Sequence, residues 1–175
     1  MLLPPVILVN EHDEPVGTME KMEAHQKGLL HRAFSVFVVN SKGEMLLQQR
    51  ALNKYHSGGL WTNTCCSHPL PGEDTSSAAH RRLMEEMGFD CPLREIFTFT
   101  YRAALDNDLT EYEFDHVLLG VYDGAVQADA AEVLSHRFQP VGDIYRQLKE
   151  TPDTFTHWFH IAFPKVADYM ELHKL

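Results

Sequence analysis

Residues 33–40 read Ala-Phe-Ser-Val-Phe-Val-Val-Asn and run straight into Ser41-Lys42-Gly43. Branched and aromatic residues followed by a turn cluster are the strongest local signal for a strand entering a hairpin. Residues 44–50 continue as the partner strand, so the chain is committed to a sheet early. Around this pair, residues 6–10 read as a short strand, and residues 20–27 as one or two helical turns stopped by Gly28. Ser57-Gly58-Gly59 is a break, and residues 60–66 can run extended. Residues 75–87 are good helix formers, with Gly88 where a C-terminal stop belongs. Residues 96–102 and 111–122 read as strands around Asp106-Asn107-Asp108, and residues 132–138 as another strand. Residues 141–149 read as a helix, and residues 155–172 as helical with an interruption or kink at Pro164. Strands mixed with a few helices predict an α+β or α/β sandwich, with helices packed on a mixed sheet.

The chain has 175 residues, 44% of them hydrophobic and 23% charged, which fits one domain (1–175) with a sizeable core. Its formal net charge is -10 with the acids spread along the chain, which argues against a nucleic-acid surface but leaves room for a local basic pocket. No apolar run approaches the roughly 20 residues that span a bilayer. The opening Met-Leu-Leu-Pro-Pro-Val has no basic n-region and no small-residue cleavage site, so no signal peptide and no membrane partner are expected. The cysteines are Cys65, Cys66 and Cys91, an odd number with two adjacent, which suits a reducing compartment such as the cytoplasm better than a disulfide framework.

Four groups of residues carry chemistry. In an extended Trp61-Thr62-Asn63-Thr64-Cys65-Cys66-Ser67-His68-Pro69, Cys66 and His68 point one way and Cys65 the other. A thiol beside a metal ligand can act as an acid or base, whereas the plainer alternative makes both cysteines small buried apolar residues. In a strand, Glu111 and Glu113 lie on one face, where two repelling carboxylates invite a cation; an acidic stripe facing solvent is the alternative. His25 and His31 flank Gly28 at a non-helical spacing, so a turn would have to bring them together. With His68, Glu111 and Glu113 they offer three imidazoles and two carboxylates, a mixture that suits zinc, manganese or magnesium. On a helix, Arg81 faces Glu85 and Arg82 faces Glu86. That arrangement is either a pair of surface salt bridges or a diphosphate site, with guanidinium forks for phosphate oxygens and a carboxylate for Mg²⁺. Lys21, Arg50 and Lys54 can add positive charge to the same pocket.

Residues 73–89 resemble the Nudix box at Glu73, Arg81, Leu83, Glu85, Glu86, Gly88 and Phe89. They depart from it at Ser67, where the box opens with Gly, and at Arg82, where it has Glu. Exchanging a carboxylate for Arg82 removes a group that would help activate water at Mg²⁺ and adds a phosphate-binding fork. These departures resemble the type I isopentenyl-diphosphate isomerases of the Nudix superfamily. So do the run at 61–69, Glu20-Lys21 with His25 and His31, Arg50-Ala51-Leu52-Asn53-Lys54, Tyr101-Arg102-Ala103, and Glu111 with Glu113. The resemblance runs in order from about residue 6 to residue 122, with Trp158 as the clearest match beyond.

The resemblance implies an α/β/α Nudix sandwich and an isomerase of a small diphosphate, monomeric, with no nucleic-acid partner. It implies Cys66 as the thiol on one side of the alkene and Glu113, helped by Tyr101, as the acid/base on the other. It implies His25, His31, His68, Glu111 and Glu113 as ligands of a divalent metal (Mn²⁺, Zn²⁺ or Mg²⁺). Glu86 would bind the Mg²⁺ that bridges to the diphosphate, and Lys21, Arg50, Lys54 and Arg82 would contact its oxygens. Trp158 would lie near the hydrocarbon tail, with Trp61 as another indole for that part or for the core. The competing enzyme is a Nudix hydrolase of a nucleoside diphosphate derivative. A non-catalytic metal- or phosphate-binding module is a third possibility, one that would tolerate loss of Cys66.

Overall fold

The structure, a computed structural model, describes residues 3–175; Met1 and Leu2 of the opening segment lie outside the described residues. The elements are β1 (Pro5–Val9), β2 (Pro15–Glu20), α1 (Lys21–Lys27), β3 (His31–Val39), β4 (Glu44–Arg50), β5 (Trp61–Thr62), β6 (Cys65–Ser67), α2 (Thr75–Met87), β7 (Leu93–Ala104), β8 (Thr110–Val121), β9 (Val133–Pro140), α3 (Val141–Glu150) and α4 (His157–His173). Single 3₁₀ turns lie at Asp106–Asp108 and Pro152–Thr154.

β3 is the hub of a mixed sheet. It runs parallel to β8 in a continuous register from His31↔Glu113 to Val39↔Val121. Its other edge takes β6 antiparallel, with Phe34↔Ser67, Ser35↔Cys66 and Val36↔Cys65. β8 pairs antiparallel with β7, and the β1–β2 hairpin joins β3 at Leu8↔His31. The expected hairpin between β3 and β4 forms only at its turn. Asn40 and Glu44 bond across it, the strands share the single position Val39↔Met45, and β4 then leaves to pair with β9 and β5. The reason is competition, since both edges of β3 are taken by β8 and β6.

The extended segment at 60–66 is split at Asn63 and Thr64 because these side chains replace ladder bonds. Asn63 Nδ2 donates to the carbonyls of Val36 and Cys65. Thr64 Oγ1 donates to Leu46 O and accepts from Val38 N. β2 carries no sequence signal because it is a largely exposed strand without apolar alternation. α4 is uninterrupted at Pro164.

Side-chain alternation along β3 feeds two cores. Phe34, Val36 and Val38 pack with Leu83 and Met87 of α2 on one face. Phe37 and Val39 pack with Ile144 of α3 and Phe159 and Phe163 of α4 on the other. The result is an α/β/α sandwich. On the α4 side, Phe155, Phe159 and Phe163 stack in series at 5.2 and 5.1 Å.

α2 starts at Asp74, whose side chain accepts from Ser77 N, and ends at Gly88 in the left-handed region (φ 72°). Past that cap, the amides of Gln127 and Asp129 donate to the carbonyls of Met87 and Glu86. The approach is so close that a Cβ on Gly88 would meet Gln127 O at 2.3 Å. Gly88→Ala should therefore lose at least about 2 kcal/mol in urea unfolding, from the left-handed backbone and the clash together. Gly72→Ala, with φ 81° but nothing within 4 Å of the new Cβ, should lose only the conformational part, about 1–2 kcal/mol.

Candidate active site

The sheet register builds one side of the site. Glu113 on β8 pairs with His31 on β3 and, across its other edge, with Tyr101 on β7. The Tyr101 hydroxyl donates to Glu113 Oε2 at 2.7 Å. Glu113 Oε1 lies 2.9 Å from His68 Nε2 and 3.5 Å from His31 Nε2. Gly28, left-handed at φ 59°, turns the chain between α1 and β3, which brings the rings of His25 and His31 to 4.9 Å. His25 Nδ1 bonds Lys21 O at 2.7 Å and His31 Nδ1 bonds Leu29 O at 2.8 Å, so both rings present Nε2 to the cluster.

Donor atoms of His25, His31, His68 and Glu113 all lie within 4.8 Å of one another. Glu111 does not share that group; it groups instead with His25 and His56. His25 Nε2, His31 Nε2 and Glu111 Oε2 are buried without a hydrogen-bond partner. Buried orphans of both imidazole and carboxylate type cost energy unless something binds them. A divalent cation of the kind that accepts nitrogen and oxygen ligands fits this set.

Burial and cationic neighbours favour the neutral form of His25, His56 and His68. Burial, then the Lys21 charge, pushes His68 down to about 3. Burial, then Arg50, pushes His56 down to about 2. Burial, then His31, lowers His25. The two carboxylates separate. Burial would raise Glu113, but the contacts from His31 and His68 outweigh it and hold the group well below the usual range. Burial and the charge on Glu113 hold Glu111 well above that range. Burial pushes the Cys66 thiol up, against the pull of Arg50.

A cavity connects this cluster to the basic residues. Cys66, Glu111, Glu113 and His68 line it together with Lys21, Arg50, Lys54, Arg82, Glu86 and Trp158. Cys65 points the other way and is fully buried against α2, as a small apolar residue would be. Trp158 is buried; its Nε1 donates to Asn63 Oδ1 at 3.1 Å, and the Arg50 guanidinium lies 5.3 Å from its ring. Trp61 is not among the lining residues and stacks under Arg137 at 4.0 Å.

Arg82 bonds Glu85 and Glu86 at 2.5 Å each, and Glu86 also accepts from Gln48 at 3.0 Å. Lys54 pairs with Glu132. Lys21 is made more acidic by burial and then by the Arg50 cation, against the pull of Glu113. Arg81 takes no part in the cavity. It forks onto Glu73 with two bonds of 2.8 Å and so ties the loop before α2 to that helix.

Sequence reasoning missed Tyr55, His56 and Ser35, all of which line the cavity. Ser35 donates to the buried Asp115 at 2.8 Å. Tyr55 and His56 lie in an irregular loop where periodicity has nothing to read, and their one signal is a place beside the basic run at 50–54.

Residues 29–159 match the NUDIX domain family. A protein of known structure from Deinococcus radiodurans superposes with a TM-score of 0.70 at 17% identity, covering 84% of this chain and 90% of that one. A MutT protein from Methanosarcina mazei superposes with a TM-score of 0.66 at 18% identity, over 80% and 94%. The fold and the capped helix under the cavity are those of a NUDIX-domain protein. An isopentenyl-diphosphate Delta-isomerase from Pectobacterium atrosepticum is 53% identical over 174 residues, 99% of this chain and 97% of that one. Another from Burkholderia multivorans is 55% identical over 162 residues, 93% and 92% of the two chains. The chain belongs to the isopentenyl-diphosphate Delta-isomerase family. Among the described residues, no helix is long and apolar enough to cross a membrane.

The Arg81–Glu73 clamp makes a pH prediction. Glu73 is held below its usual value, chiefly by the bonds from Arg81. Its folded value is depressed, so its contribution is present above the unfolded value and is lost as pH falls through the folded one. Urea midpoints measured from pH 6 downward should fall more steeply in the wild type than in Glu73→Gln. Parallel curves would remove Glu73 as a source of acid sensitivity.

Proposed function

We propose that the chain interconverts isopentenyl and dimethylallyl diphosphate, as a monomeric single-domain enzyme of the cytoplasm in isoprenoid biosynthesis. The observation that carries this reading is one cavity lined both by Cys66 and Glu113 and by four basic side chains. Double-bond migration adds a proton to the terminal alkene carbon, leaving a tertiary cation, and removes one from the carbon on the far side of that centre. An alkene is a very weak base, so the proton must be placed closely and released in a dry site.

Cys66 and the Glu113–Tyr101 pair are the two groups assigned to that exchange. One gives a proton, the other takes one, and the reverse reaction swaps their parts. The high thiol pKa keeps a proton on Cys66 at neutral pH. Tyr101 bonds Glu113 directly and extends the route by which its proton can move. The Trp158 face, beside the cavity, suits stabilisation of a carbocation and shields it from water that would trap it as an alcohol.

His25, His31, His68, Glu111 and Glu113 would hold a divalent metal, Mn²⁺, Zn²⁺ or Mg²⁺. Bound there, it would supply a positive field that strengthens the acid at Glu113. Lys21, Arg50, Lys54 and Arg82 would bind the diphosphate, with Glu86 as the carboxylate for its Mg²⁺. Their binding energy keeps the leaving group attached and positions the carbon end. A hydrolase reading is disfavoured because Arg82 occupies a carboxylate position of the box and engages both Glu85 and Glu86.

Proton NMR of isopentenyl diphosphate with the protein and Mg²⁺ in D₂O should show deuterium entry and the dimethylallyl product; neither appearing would end this reading. Cys66→Ala and Glu113→Gln should each lower kcat by at least about 100-fold. Arg82→Ala should raise KM by about 10- to 100-fold, as expected for charged hydrogen bonds to phosphate.

A further inference from the structure

We propose that His56 is a further ligand of the metal, closing a six-donor set with His25, His31, His68, Glu111 and Glu113. This rests on the reading of the His/Glu cluster as a metal site and extends it. His56 lies in the loop between β4 and β5 and is 3% exposed. Its ring stacks on His25 at 5.8 Å, and its Nε2 lies 3.8 Å from Glu111 Oε1.

Three features point to ligation. The first is orientation: Nδ1 of His56 sits 3.1 Å from Ser57 Oγ. Like His25 and His31, the ring is anchored through Nδ1 to a nearby oxygen and leaves Nε2 for the cluster. The second is grouping. His25, His56 and Glu111 have donor atoms mutually within 4.8 Å, and they share His25 with the four-donor group of His25, His31, His68 and Glu113, so one ion holding all six would draw two adjoining groups together about that ring. His25 has a single free nitrogen, so it can serve one ion, and an ion that also gathers Glu111 draws on the side of the cluster where His56 lies. The third is charge and number. Two carboxylates and four neutral imidazoles balance a divalent ion without net charge in a buried site, and six donors suit an octahedral ion.

A filled set leaves no position for water or substrate. The ion would then act on Glu111 and Glu113 by its field and would not bind the alkene or the diphosphate. This separates the centre from open hydrolytic metal sites, which keep a place for water.

The test uses the full chain and Mn²⁺ as the probe, with affinity from equilibrium dialysis and inner-sphere water from water-proton relaxation. Wild-type protein should bind one Mn²⁺ at the cluster with no exchangeable inner-sphere water. His56→Ala and His56→Gln should bind it at least about tenfold more weakly, by analogy with the loss of groups that support metal ligands. His56→Ala should also admit a water and raise the relaxation rate. Thermal unfolding of the metal-free variants checks that they fold. An inner-sphere water on the wild-type ion overturns the proposal without recourse to any variant. Weaker binding in folded His56→Ala without water entry would make His56 a positioning residue for Glu111 and overturn ligation, and so would unchanged affinity. His25→Ala separates the two levels. If wild-type protein binds no Mn²⁺ that this substitution removes, the metal reading itself has failed. If it does and His56 variants bind normally, only the role of His56 has failed.

Discussion

The parallel pairing of β3 with β8 is the constraint on which the rest of the molecule depends. Its register sets His31 against Glu113, and the antiparallel pairing of β8 with β7 sets Glu113 against Tyr101. The same strand β3 sets Ser35 against Cys66 on its other edge. Four strands thus deliver an imidazole, a carboxylate, a phenol and a thiol to one sheet. A one-residue slip in a strand exchanges its faces. Such a slip in β8 would turn Glu111 and Glu113 away from His31 and put Tyr112 and Phe114 in their place. The two cores prevent it, because Val117 and Leu119 pack toward α4 while Leu118 packs toward α2. Stability and chemistry are set by the same register.

The site has two electrostatic halves within one cavity. One half is a cluster of imidazoles and two carboxylates, and the other is a group of cations with carboxylate partners. Unfilled, each carries an energetic cost: orphaned lone pairs in the first and crowded like charges in the second. In the proposed reading, a divalent ion would answer the first and a diphosphate the second. Cys66, Glu113 and Trp158 line the same cavity as both halves.

α2 connects these halves to the fold. Its buried face packs on the sheet, and its C-terminal half carries Arg82 and Glu86 to the cavity. The amides of Gln127 and Asp129 cap its final carbonyls, and Gly88 is the residue small enough to allow that approach. A glycine whose sequence signal was a helix stop is thus also the point where the loop before β9 closes on the helix that carries Arg82.

Much of this was legible in the chain itself. The bounds of α2 and its glycine cap, the course of β4 and β8, and the opposite facing of Cys65 and Cys66 follow from local alternation, helix propensity and cap chemistry, which depend on neighbours a few residues apart. The order Cys66, His68, Arg82, Glu86, Glu111 and Glu113 was enough for the family resemblance. Three things were decided by tertiary structure alone. β3 and β4 separate after one shared position because other strands claim both edges of β3, a competition that no local pattern records. Asn63 and Thr64 break their strand because their side chains satisfy backbone groups from β3, β4 and β6. Tyr55 and His56 enter the site through a loop without periodicity, brought against His25 by the packing of α1 and β8 beneath them. Sequence alone specified which chemical groups were available and which way each strand would turn them. Only the long-range pairing of strands, where geometry rather than propensity chooses the partner, decided which groups would meet.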